Sequence, residues 1–188
     1  KSGAALAGFA AAAKSTNGRV LLVIQDGYFN SSELNKSFRL GVAAFNEKAD
    51  TQVIVTKLNV TEGAALQQRL AKVDGEVVLG IFADASIWKK LDLTNRTGAV
   101  IGSDLQLGHT LETVDKAVLA SVERNYNSLV LKVAKDVLDK NFVLDPILMD
   151  PKALASGYIE LRPLDDAVFD GTTSALLAEY KAVLVAQK

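Results

Sequence analysis

Four apolar runs separated by segments of helical period set the main limit on how this chain can fold. They are RVLLVI (19–24), TQVIVTKLNV (51–60), EVVLGIFA (76–83) and AVIGSD (99–104), each bounded by turn-forming residues. Such short, β-branched or continuous apolar runs suit strands covered on both faces. Between the first two, Asn30 is followed three residues later by Glu33, a capping-box spacing, and Leu34, Phe38, Val42 and Phe45 then recur on one stripe. Thr61 opens a further helix through about Val73, and Asp84 opens a short one carrying Ile87, Trp88 and Leu91. Strand and helix thus alternate with short connections, which predicts an α/β fold: a doubly wound, mostly parallel sheet.

The flanks extend this pattern. Residues 3–14 are strong helix formers closed by the Asn-Gly turn of STNG, and their apolar run is far shorter than the roughly 20 residues that span a bilayer. A buried helix is expected there. Beyond a polar stretch at 105–116, AVLASVERN (117–125) reads as a strand and SLVLKVAKDVLDKNF (128–142) as an amphipathic helix. PILMD and SGYIELRPL suggest two short extended pieces, and TTSALLAEYKAVLVAQ (172–187) a closing helix capped by Thr172 or Thr173.

Composition narrows the chemistry. At 188 residues the chain holds one sizeable core and is too short for two full α/β domains. Lysine plus arginine (21) nearly cancels aspartate plus glutamate (22), so no electrostatic footprint for nucleic acid is visible. With no cysteine and one histidine, His109 in the polar loop LGHTLE, thiolate chemistry is excluded and soft-metal ligation has almost nothing to use. No nucleophile elbow, phosphate loop or dinucleotide fingerprint is present. A non-enzyme without metal or cofactor is expected.

Parallel sheets gather their ligands outside the carboxyl ends of the strands. That places Asp26, Asp84 and Asp104 on one rim, after LLVIQ, VLGIFA and AVIGS. A carboxylate there accepts two hydrogen bonds and suits a vicinal diol; the plainer reading is that it caps the following turn or helix. Asp84 stands where a helix starts, whereas no helical pattern starts beside Asp104.

Several blocks carry a resemblance in order along the chain: SGAALAGFAAAAKSTNGRVLLVI, FRLGVAAFN, GAVIGSD and LASVERNYNSLVLKVAKDVLDKNF. The chain resembles the basic membrane protein, or PnrA-like, family of solute-binding lipoproteins. The resemblance implies a Rossmann-like lobe of the type I periplasmic-binding-protein fold, extracytoplasmic and lipid-anchored, serving an ABC transporter and binding a nucleoside, flavin or sugar-like molecule between two lobes. It also implies that Asp104 holds sugar hydroxyls and that Arg124, in SVERN, reaches the ligand. Glycine pairs of the family are missing at IFADAS and VIQDGYFNSS, so a reshaped pocket is expected, with Tyr28 and Phe29 able to stack on a flat ring or to pack under the loop, and Trp88 either at the mouth or in core or rim packing.

The same resemblance divides the chain into 1–122 with 150–188 as the second lobe, and 123–149 as a crossover segment belonging to a first lobe whose sheet is not in this sequence. It implies that the helix matching 126–141 packs on that first lobe, so that without it Leu129, Leu131, Val133 and Val137 are left exposed or are covered by this domain or by a partner. Two other readings stand beside solute binding: an interaction or regulatory module that keeps the fold without the ligand, and an acid-dependent hydrolase using Asp26, Asp84 and Asp104.

Overall fold

β1 (Arg19–Gln25) is the strand around which the sheet is organised. Val20, Leu22 and Ile24 point to one side and Leu21 and Val23 to the other, and all five are buried, so both faces are covered. In this computed structural model, residues 1–28, 30–60, 67–68, 78–82, 100–103, 118–140, 152–163 and 168–186 are described. β1 lies between β2 (Ile54–Val60) and β3 (Val78–Phe82), parallel to both. Beyond β3 come β4 (Val100–Ser103), β5 (Val118–Arg124) and β6 (Ile159–Pro163). The six-stranded sheet has the order β2-β1-β3-β4-β5-β6, with β6 alone antiparallel to its neighbour. Pro163 closes that edge strand, where a missing N–H costs no ladder bond to a further strand.

This is a mixed α/β protein, as expected. The helices anticipated over 61–73 and after Asp84, and the extended piece at 146–150, lie largely or wholly outside the described residues. Among the described residues, β1 and successive residues of β4 and β5 are buried, so these strands are covered on both faces of a mostly parallel sheet.

Helix α1 (Ser2–Lys14) is alanine-rich and buried from Ser2 to Ala12. A helix apolar on every side must lie inside a structure. It packs on the sheet beneath α2 (Ser31–Ala49), and α5 (Gly171–Ala186) lies against it as well. Between β5 and β6 the chain makes α3 (Tyr126–Leu138) and the four-residue α4 (Lys152–Ala155).

The contact between α1 and α2 is backbone on backbone. A methyl group added at Gly8 would sit 2.1 Å from the Phe38 carbonyl oxygen, and one at Gly41 would sit 1.9 Å from that of Ala5. Around this crossing Phe9 meets Phe45 edge-on at 5.3 Å between ring centres and stacks on Tyr180 at 4.7 Å, which ties α2 and α5 together across α1. Phe38 and Val42 from the expected α2 stripe are buried, and Leu34 and Phe45 pack beside them.

Asn46 near the end of α2 sets the start of β2: its amide donates to the Val53 carbonyl at 3.0 Å and its oxygen accepts from the Val53 N–H at 2.9 Å. Two caps differ from expectation. Asn30 precedes α2 but takes a left-handed conformation (φ 58°) and makes no side-chain cap bond, while Glu33 pairs instead with Lys1. α5 begins at Gly171 and is capped by Asp170, whose carboxylate accepts from the Thr173 N–H at 2.7 Å. That bond, with the Thr173 hydroxyl second, holds the Asp170 carboxyl below its ordinary pKa. A strong acceptor just before the helix displaced the threonines as the cap.

Replacing Gly41 with alanine should lower stability in urea unfolding by about 2–3 kcal/mol, because the added carbon must push the two backbones apart. Helix propensity alone predicts the opposite sign, a gain of about 1 kcal/mol. A neutral or stabilised variant would contradict the close crossing.

Candidate functional site

A cavity of about 620 Å³ opens at the carboxyl ends of β1, β4 and β5. Its floor is the first turn of α1, where Gly3 and Ala4 leave room, and its walls are the β1–α2 turn, the end of β4 and the start of α3. The turn after β1 is built by Gly27 (φ 76°) and Asn30, with the Tyr28 N–H donating to the Gln25 carbonyl at 3.1 Å. That geometry directs the half-buried Tyr28 against the core and along the cavity wall.

On the opposite wall, Asn125 follows β5 and caps α3. Its side-chain oxygen accepts from the Ser128 N–H at 3.0 Å, and its own N–H donates to the Tyr158 carbonyl at 2.9 Å. Two cavity-lining side chains therefore leave one anchored corner, Arg124 before it and Tyr126 after it. The Arg124 guanidinium donates to the Tyr126 hydroxyl at 3.4 Å. At the rim Lys1 Nζ lies 2.8 Å from Glu33 Oε2, and the hydrogen bond and charge of Lys1 hold the Glu33 carboxyl below its usual range. Both side chains are about half exposed, so the pair orders the rim more than it stabilises the fold.

Of the residues singled out from sequence, the structure brings Arg124 and Tyr28 to the same cavity. Ser103 lines it too, and Asp104, the next residue, lies outside the described residues, as do Asp84, Phe29, Trp88 and His109. Asp26 is exposed and does not line the cavity; its N–H donates to the Val60 carbonyl at 2.7 Å, extending the ladder with β2. Among the described residues, no three histidine, cysteine or carboxylate side chains are grouped to hold a metal.

Tyr126 and Tyr158 were missed as lining residues. Tyr126 directly follows the SVERN strand end and was within reach of the carboxyl-end rule. Tyr158 was not, because that rule selects strand ends, and Tyr158 stands before a strand that runs antiparallel.

Leu131 and Val137 of α3 are exposed, as expected, whereas Leu129 and Val133 are half-buried on its inner side. The helix starts earlier than expected because Asn125 supplies its cap, and its last helical residue is Leu138. No residue of α3 is buried.

No family model and no curated protein matches the chain. Among solved structures it is similar to one described as a transcriptional activator of the comK gene from Bacillus halodurans, with a TM-score of 0.68 and 17% sequence identity over 99% of this chain and 62% of that one. At that identity the likeness is one of fold, and the chain spans less than two thirds of the matched protein's length.

This overturns the family resemblance: no family model supports membership among the solute-binding lipoproteins, and the matching structure carries a regulatory description. The expected transporter permease, nucleoside, flavin or sugar-like ligand, and extracytoplasmic lipid-anchored location fall with it. Among the described residues no helix is long and apolar enough to cross a membrane.

Asn125→Ala should cost α3 about 1 kcal/mol of cap stability. Trypsin should then cut after Lys132 and Lys135 roughly fivefold faster than in the parent chain, since cleavage tracks the open population. An unchanged rate would show that α3 is held by something other than its cap.

Proposed function

We propose that this chain is an interaction or regulatory module built on an α/β scaffold, acting by contact and carrying out no catalysis. The observation that carries the reading is α3, a helix turned apolar side outward. Val130, Leu131, Val137 and Leu138 are 64%, 70%, 55% and 81% exposed. The Lys132–Asp136 ion pair, by contrast, lies on its partly covered side. A helix that ended its folding on this domain alone would reverse that arrangement, and an exposed apolar patch of this kind marks a surface awaiting another.

The fold similarity to a protein described as a transcriptional activator favours a regulatory role over transport. A shared fold is no evidence of a shared partner, so the reading rests on the surface first. We read residues 1–122 with 150–188 as one doubly wound unit, with the strand order reversing at β1, and 123–149 as an excursion that presents α3. Arg124 and Tyr28 line the cavity beside that excursion, and Arg124 with Tyr126 fixes where α3 leaves the sheet. In this reading they shape the contact surface.

Thermal unfolding with nucleosides, flavins and sugars at millimolar concentration tests the proposal. A molecule that binds only the folded chain raises its stability in proportion to the logarithm of its saturation. No rise in midpoint is expected with any of the three classes. A saturable rise of several degrees with one of them would overturn the reading.

A further inference from the structure

The outward face of α3 has an internal symmetry. Its aliphatic residues are Val130, Leu131, Ala134, Val137 and Leu138. Counted from Ala134, they stand four and three residues before it and three and four after it, valine and leucine on each side. All of the large ones are more than half exposed. No charged residue shares this face; Lys135 lies at its edge, and the Lys132–Asp136 pair lies on the more covered side of the helix.

We infer that a second copy of this chain covers this face, the two α3 helices crossing antiparallel about a two-fold axis at Ala134. The inference rests on the contact reading above and names its partner. In an isologous interface residue i meets j and j meets i. With the axis at Ala134, Val130 of one copy meets Leu138 of the other, and Leu131 meets Val137. Every large side chain thus opposes another large one, and the two smallest meet on the axis. Alanine there allows the helix axes to approach to about 8 Å, the short end of the usual range. Antiparallel packing also sets the positive end of each helix dipole beside the negative end of the other.

The helix is about 20 Å long. Two such faces bury an area at the low end of specific interfaces, below about 1,200 Å² in total. The pairing is therefore concentration-dependent, with a midpoint in the micromolar range.

Sedimentation velocity on the full chain, over a concentration series, tests this with four variants. Leu131→Lys and Val137→Glu should each shift the monomer–dimer midpoint at least tenfold upward while leaving the circular dichroism of the dilute chain unchanged. The double variant L131K/V137E should dimerise again, because the axis at Ala134 sets each new lysine against a new glutamate of the other copy. Ala134→Leu should weaken pairing by crowding the axis. A parent chain that stays monomeric at every concentration would overturn the second copy as occupant and leave the contact reading to stand or fall on the ligand titration. A dimer that neither single change weakens, or that the double variant fails to restore, would overturn this register and with it the proposal.

Discussion

The structure depends on two helices brought into backbone contact. α1 offers only small side chains where α2 crosses it, and Gly8 and Gly41 remove the last obstacle, so the carbonyls of Phe38 and Ala5 rest where side chains would otherwise stand. Alanine contributes little area per residue. The stability of such a layer comes from packing density and from the large rings that fill its margins, Phe9, Phe38, Phe45 and Tyr180. Once α1 is fixed, its first turn becomes the cavity floor and α2 carries the β1–α2 turn, with Tyr28, to the rim. The geometry at the carboxyl end of the sheet thus follows from a contact made in the core.

α3 belongs to a different regime. It is held at one end by Asn125, which joins β5, β6 and the helix cap, and none of its residues is fully buried. Its large aliphatic side chains face water while its ion pair is partly covered. Folding of this domain gains nothing from that arrangement, whereas association does. The cavity beside it is shaped by the same corner, through Arg124 and Tyr126.

Much of the scaffold was legible in the sequence. The strands announced themselves as β-branched runs, and α1 and the buried stripe of α2 followed from composition and period. What was not legible has physical reasons. Caps are decided by single hydrogen bonds: the left-handed turn at Asn30 broke an apparent capping box, and Asp170 outcompeted two threonines. The direction of β6 depends on how the chain returns after α3, which no local pattern encodes, and Tyr158 was hidden for that reason. Blocks such as GAVIGSD and SGAALAGFAAAAKSTNGRVLLVI misled on function because a buried strand followed by a polar turn, or an alanine-rich helix followed by an Asn-Gly turn, is what any parallel sheet of this architecture needs. Those residues report the scaffold. Of the candidate site, the carboxyl-end argument picked Asp26, whose backbone serves the β1–β2 ladder instead of the cavity, while Arg124 and Tyr28, which do line it, were named from the SVERN block and the loop after β1.

The central claim is that α1 and α2 form the stable heart of the chain and that α3 stands outside it. Native-state hydrogen exchange on the dilute chain measures this directly, because each segment opens with its own free energy. The α1 amides should exchange only through global unfolding, and those of α3 through openings several kcal/mol less costly. Equal protection of α1 and α3 in the dilute chain would contradict the account.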